Sequence, residues 1–471
     1  MAQKGKYRRL LDNTAVIAAG QIGSKVLVYL LTRLYTSVMT SSEYSVASNL
    51  TETATLLIPL ISLGIGEAVF RFAMDKSYSK KDVFTSGYAA FLMGAFLFAA
   101  AIPVLCSIPY FEGLEWLIVT YVISSILHTI CSQFIRAQGQ FRLYALQGLL
   151  NTVLTITCNV IFLIPLNMSY VGYVLSVSVA DLLSMIFIFV SARLWQYFDI
   201  GSVTSATLKD MLKFSIPMIP TTIFWWVTNV SDRFMITYFV GDSVNGLYSA
   251  AYKIPTLLMV LSGIFINAWR NSAIDEKDSK EYKSFYERVF DMFSGIIFII
   301  ASGIIAFTFL LTYIMFAPDF RSAWIYIPVL TCAMVFFNFV SFLGSVYVVS
   351  KKTVWSFITS LAGALLNVVL NFLLIPIIGA MGAALATLAS FVLVFILRVI
   401  TASRITSFNM HLPKLVLNGI ILGVQCFVII KQIPFWIVAE IICLAVMIAV
   451  NGVPYFRLAL DFLKSRNKKK S

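Results

Sequence analysis

Phe224–Asp242 reads FWWVTNVSDRFMITYFVGD. Its apolar residues are those of a membrane helix, yet Asp232 and Arg233 stand side by side within it. A charge at bilayer depth costs roughly 2.5–3.5 kcal/mol even on the lenient insertion scale. A chain that keeps two of them there predicts a helix bundle with a polar interior. The rest of the sequence bears on that reading first through composition.

The chain has 471 residues, of which 59% are hydrophobic and 12% charged, and its mean hydropathy is +0.88. A soluble domain is about half apolar and about a quarter charged, so the composition is that of a polytopic membrane protein. The six cysteines are scattered through apolar runs without CxxC or Cys/His spacing, and the only histidines are His128 and His411. Neither a disulfide framework nor a metal site is expected. The net charge of +13 has no basic soluble domain to carry it, which argues against nucleic acid as a partner.

Apolar runs of about 17–25 residues can cross the hydrocarbon core as helices. Fourteen are expected, near 13–34, 46–70, 83–108, 115–136, 144–166, 170–194, 214–240, 245–269, 289–317, 323–349, 355–377, 381–403, 413–430 and 434–453. The first follows KGKYRR, but its length, Gln21 and Lys25 and the want of a clear small-residue cleavage site make it span 1 rather than a signal peptide. With the N-terminus placed in the cytoplasm, 29 of the 35 Lys and Arg fall at cytoplasmic ends and four at the opposite ends. That asymmetry predicts both termini inside. The basic tail KSRNKKKS then lies against the anionic inner leaflet. No long hydrophilic loop remains, so a soluble catalytic module is excluded. An enzyme would have to work from within the bundle.

Two stretches repeat. NVIFLIPLNMSYVGYVLSVSVA from Asn159 and NFLLIPIIGAMGAALATLAS from Asn371 share Asn, an apolar run, Ile-Pro, Gly and then small residues. EYSVASNL (Glu43–Leu50) matches GLYSAAYKI (Gly246–Ile254), and the two offsets are 212 and 204. Spans 1–6 and 7–12 therefore read as two copies in the same orientation, the parallel-repeat plan of secondary transporters. The expected division is residues 1–200 as one lobe, 201–410 as the second, and 411–471 as two added helices and the tail.

Leu208–Ile254 resembles the helix 7–8 signature of polysaccharide-repeat flippases, in Lys213–Pro217 (Lys-Phe-Ser-x-Pro), Asp232–Arg233 and Gly246–Ala251 (Gly-x-Tyr-Ser-x-Ala). GIGEAVFRFA (Gly64–Ala73) and RAQGQFRLYA (Arg136–Ala145) are similar to further landmarks of that family. These proteins belong to the superfamily of multidrug, oligosaccharidyl-lipid and polysaccharide exporters. The resemblance implies an all-α bundle of two six-helix lobes around a cavity, like that of multidrug exporters, with alternating access. It also implies outward transfer of an undecaprenyl-pyrophosphate-linked oligosaccharide across the bacterial plasma membrane. Lipid II flippases and cation-coupled drug exporters are the alternatives on the same fold; the extra cations expected of lipid II flippases are missing, and the short outward loops speak against a membrane-embedded polymerase or ligase of lipid-linked sugars. Partners would be the lipid-linked substrate, membrane lipids, and the glycosyltransferases and polymerase of the same polysaccharide. No cofactor is expected beyond a coupling Na⁺ or H⁺.

The intramembrane charges supply the candidate site. Counting about 1.5 Å per residue from hairpin centres at Thr40 and Asp242 puts Lys25 level with Glu52, and Asp232 level with Lys253. These are the expected ion pairs, because adjacent helix residues such as Asp232 and Arg233 do not face each other and a lone buried charge is costly. Arg33 and Arg233 are left at similar places in the two copies. A guanidinium binds phosphate through a planar fork, so both, with Lys25 and Lys253, are candidates for the diphosphate. The supporting acids are Asp232 and Glu52. Trp225, Asn229 and Asp232 share one helix face by spacing and offer sugar contacts. His128 and Asp181 sit near mid-membrane in spans 4 and 6 and are the candidates for ion coupling.

Overall fold

The computed structural model describes residues 31–106, 109–275, 282–350, 352, 354–405 and 410–468. It is 89% helix, and no strand occurs among the described residues. The chain divides into two units, Met1–Trp226 and Val227–Ser471. Among the described residues eight helices are long and apolar enough to cross a membrane, or nine when one bent pair is taken as a single span. Lys25, of the expected Lys25–Glu52 pair, lies outside the described residues.

The first unit contains α1 (31–38), α2 (Ser41–Ile61), α3 (Ile65–Ala73), α4 (Lys80–Cys106), α5 (Glu115–Ala137), α6 (Phe141–Leu163), α7 (Ser169–Ser191) and α8 (Ser205–Ser215). The helix α9 (Ile219–Phe239) carries the opening stretch and the boundary between units falls within it. α2 starts on a capping box. The Thr40 side chain accepts from the Glu43 amide at 3.2 Å and Glu43 Oε2 accepts from the Thr40 amide at 2.8 Å, so two orphan donors are satisfied at once. The other oxygen of Glu43 accepts from Ser169 Oγ at 2.7 Å, which ties the start of α2 to the start of α7.

α2 and α3 are the bent pair, at 52°. The bend needs Gly64, whose φ of +67 is left-handed. A Cβ there would stand 3.1 Å from the Ser215 carbonyl oxygen. Ser215 in turn donates its hydroxyl to the Leu63 carbonyl at 2.7 Å. Gly64–Ala73 and Lys213–Pro217, two landmarks far apart in sequence, thus meet at one break in the backbone. The hydroxyl satisfies an acceptor that the bend exposes.

The second unit contains α10 (Asp242–Asp275), α11 (Tyr282–Ala306), α12 (Thr308–Met315), α13 (Ile327–Val349), α14 (Val354–Ile378), α15 (Ala380–Ser403), α16 (Leu412–Lys431) and α17 (Trp436–Lys468). The repeated stretches have matching local structure in their own units. A Cβ on Gly172 would lie 2.9–3.0 Å from Met168 and Phe162, and one on Gly382 would lie 2.6 Å from the Leu374 backbone. In both, glycine lets a helix start pack against the end of the one before it. Asn159 donates back to the Thr155 carbonyl at 2.8 Å, and Asn371 donates back to Asn367 Oδ1 at 3.0 Å.

Candidate functional site: two buried polar clusters

In the second unit the site grows from α9. Asp232 is 0% exposed and Arg233 6% exposed. Asp232 Oδ2 accepts from the Tyr248 hydroxyl at 2.6 Å and from Thr387 Oγ1 at 3.4 Å. Thr387 accepts from Asn367 Nδ2 at 3.3 Å, and Asn367 Oδ1 accepts from Asn371 Nδ2 at 3.0 Å. One carboxylate, two carboxamides and two hydroxyls from α9, α10, α14 and α15 therefore form a continuous buried chain. Two of its oxygens, Asp232 Oδ1 and Asn371 Oδ1, have no hydrogen-bond partner. Buried polar atoms left so are uncommon and call for an explanation.

The expected Asp232–Lys253 pair does not form. Depth counting fixes height along a helix but not rotation about its axis. Tyr248 meets Asp232, and Tyr252, one turn further, takes the Arg233 guanidinium 5.2 Å from its ring centroid. Those two tyrosines define the face of α10 turned toward α9. Lys253, about 100° round from Tyr252 by helical geometry, is only half-buried. Arg233 is held on an aromatic face as cations are elsewhere.

Arg33 is exposed. Glu52 is half-buried, and its backbone carbonyl accepts from Trp226 Nε1 at 2.9 Å. Trp225 and Asn229 are half-buried.

The first unit has its own cluster, and here the structure brings His128 and Asp181 together. His128 Nδ1 is 3.3 Å from Asp181 Oδ1, and its Nε2 is 2.8 Å from Gln147 Oε1. Asp181 also accepts from Ser125 Oγ at 2.5 Å and Asn151 Nδ2 at 2.8 Å. α5, α6 and α7 each contribute, and the carboxylate is satisfied on both oxygens. This cluster is a closed network, whereas the Asp232 chain leaves acceptors open.

Sequence reasoning overlooked several members. Tyr248 lies in the Gly-x-Tyr-Ser-x-Ala signature, and Asn371 opens a repeated stretch, so both carried a signal. Arg398, near the end of α15, is 1% exposed. It donates to the Val340 carbonyl at 2.7 Å and to Thr359, Ser356 and Ser360 at 3.1–3.2 Å.

Among the described residues no group of three or more His, Cys, Asp or Glu could hold a metal ion. A hard monovalent cation has different needs, chiefly oxygen ligands of modest total charge. The Asp232 chain offers one carboxylate, two amide oxygens and a threonine hydroxyl, two of those oxygens being open.

These apolar helices, one pair of them bent, are those of a multi-pass membrane protein, and the fold is the one seen in solved structures of the multidrug, oligosaccharidyl-lipid and polysaccharide exporter (MOP) superfamily. Residues 10–270 match the polysaccharide biosynthesis protein family, and the chain belongs to it. Among solved structures, lipid II flippase MurJ in an inward closed conformation is similar with a TM-score of 0.70 and 14% identity, over 95% of this chain and 100% of that one. An inward-facing multidrug resistance MATE family transporter of the MOP superfamily gives 0.65 and 14%, over 83% and 99%. A MATE in a straight conformation gives 0.57 and 14%, over 84% and 97%. None of the curated proteins matches the chain.

Proposed function

We propose that the protein is a flippase that carries an undecaprenyl-pyrophosphate-linked oligosaccharide outward across the bacterial plasma membrane by alternating access. Membership of the polysaccharide biosynthesis family supports the substrate class, and a fold shared with a lipid II flippase supports the transport mode. The observation that carries the reading in the chain itself is Arg233. A membrane helix keeps this arginine buried against the Tyr252 ring, despite what a cation costs there. A guanidinium stays charged and offers a bidentate fork to phosphate, so the diphosphate is the group it suits.

A coupled ion would drive the transfer against a gradient. The open oxygens around Asp232 favour that cluster as the ion site, next in sequence to the arginine that takes the substrate. A cation bound at Asp232 and a diphosphate bound at Arg233 would bias one helix, α9, from adjacent positions. His128 and Asp181, whose acceptors are already satisfied, fit a fixed interhelical contact better.

The test is reconstitution. Proteoliposomes loaded with a fluorescent polyprenyl-diphosphate sugar should show protein-dependent transfer between leaflets, faster with an inward Na⁺ or H⁺ gradient than without. Cells without the protein should hold lipid-linked repeats on the cytoplasmic leaflet. Equal leaflet distributions with and without the protein would refute the proposal.

A further inference from the structure

A second group of open buried oxygens lies away from α9, where α16 and α17 pack on α11. Glu440, in the first turns of α17, is 1% exposed, and its Oε2 accepts from Gln425 Nε2 at 2.8 Å. Gln425, on α16, also donates to the Ser302 carbonyl of α11 at 3.4 Å. Each of these three residues has an oxygen with no hydrogen-bond partner: Glu440 Oε1, Gln425 Oε1 and Ser302 Oγ. Gln425 and Ser302 are 0% exposed.

No positive side chain answers the carboxylate among the described residues. Lys414, on α16, is 2.8 Å from Asp291 of α11 instead, and Lys431 is exposed at the end of α16. The remaining titratable neighbours are thiols: Cys443 on the same helix, and Cys426 on α16 with its Sγ 3.4 Å from that of Cys332 on α13. A buried carboxylate with one donor and no counter-charge is the expensive arrangement, and two further acceptors beside it without donors make it worse. A positively charged ligand supplies what such acceptors lack.

We propose that Glu440, Gln425 and Ser302 form a binding site for a monovalent alkali cation, distinct from the Asp232 cluster. Hard cations take carboxylate, carbonyl and hydroxyl oxygens together. A single carboxylate balances a single positive charge and would leave a divalent ion half-compensated. Glu440 is four residues from the start of α17, about one helical turn from the short 432–435 connection, which gives the ion a short path in. The site joins α16 and α17 to the body of the second unit, so ion occupancy sets how firmly that helix pair is held.

The test uses the full-length protein in detergent. Thermal unfolding is followed in NaCl, LiCl or KCl against choline chloride at equal ionic strength. Wild type, Asp232→Asn, Glu440→Gln and the double variant separate the two clusters. An alkali cation should raise Tm saturably in Asp232→Asn, and that rise should vanish in the double variant. In choline chloride Glu440→Gln, which removes the unanswered charge, should unfold at a higher temperature than wild type, and the gap should close as the alkali ion saturates. Ser302→Ala keeps the charge and removes one ligand, so it should weaken the apparent ion affinity about tenfold (about 1.4 kcal/mol). Identical ion responses with and without Glu440, or no response in Asp232→Asn, would overturn the assignment. The Asp232 cluster is read independently in Glu440→Gln, so the two proposals stand or fall separately.

Discussion

The Tyr248 hydroxyl donates to Asp232 Oδ2 across 2.6 Å, and both side chains are fully buried. This bond joins α9 to α10, and it sets the rotation that turns Tyr252 toward Arg233. Removing the hydroxyl should leave the carboxylate with the long Thr387 bond as its one side-chain hydrogen bond. Tyr248→Phe should therefore cost about 1–3 kcal/mol of stability, seen as a lower Tm in choline chloride. A bound cation should recover part of the loss. An unchanged Tm would mean that the bond contributes nothing.

His128 and Asp181 form the counterpart network in the first unit. Asp181→Asn and His128→Gln should each destabilise, and the double variant should cost less than their sum. The coupling energy expected for residues in one such network is about 0.5–3 kcal/mol. Transport by the single variants should persist at reduced level. Strict additivity would place the two residues in separate environments.

Asp82, at the start of α4 and outside the apolar run, gives a pH-dependent prediction. Burial works to raise its pKa, but hydrogen bonds from Thr204, Thr207 and Ser86 outweigh it and hold the carboxyl below its ordinary value. The bonds are 2.6 Å from each threonine hydroxyl and 3.0 Å from Ser86. The folded state thus binds this proton less readily than the unfolded one. The stabilisation is present above the ordinary aspartate value of about 3.9 and is lost as pH falls through the lower folded value. Asp82→Asn should lower Tm at neutral pH and flatten its fall in that acid window. A wild-type acid limb in the variant would contradict this.

Gly382 and Gly419 make a paired control. A Cβ on Gly382 would stand 2.6 Å from the Leu374 backbone, while one on Gly419 meets nothing within 4 Å. Gly382→Ala should cost about 1–3 kcal/mol through the forced backbone shift. Gly419→Ala should be neutral or slightly stabilising, since helix propensity favours alanine. Equal effects would refute the close approach at the α14–α15 turn.

The fold was legible because hydropathy and repeated Pro-Gly punctuation act along the chain, where sequence is direct. In the two similar stretches Gly172 and Gly382 each let a helix start pack against the end of the helix before it, a close approach that the Pro-Gly punctuation signals. The polar site was only half legible. Asp232 and Arg233 announce themselves by cost, but their partners depend on rotation of α10, which heights along two helices do not determine. Neutral partners such as Tyr248, Asn367 and Thr387 cost little on any hydropathy scale and leave no such mark. Arg398 and Glu440 were lost differently. Each lies within about one or two turns of a helix end, where charges ordinarily reach water, and only packing shows that these do not.

The central claim is that Arg233 holds the diphosphate of a lipid-linked sugar as it crosses. The direct measurement is leaflet transfer of that lipid in proteoliposomes by wild type, Arg233→Lys and Arg233→Ala, with inserted protein matched. Arg233→Ala should transfer no faster than empty liposomes, and Arg233→Lys, a cation without the fork, should keep a fraction of the wild-type rate. Wild-type transfer by an inserted Arg233→Ala protein would contradict the account.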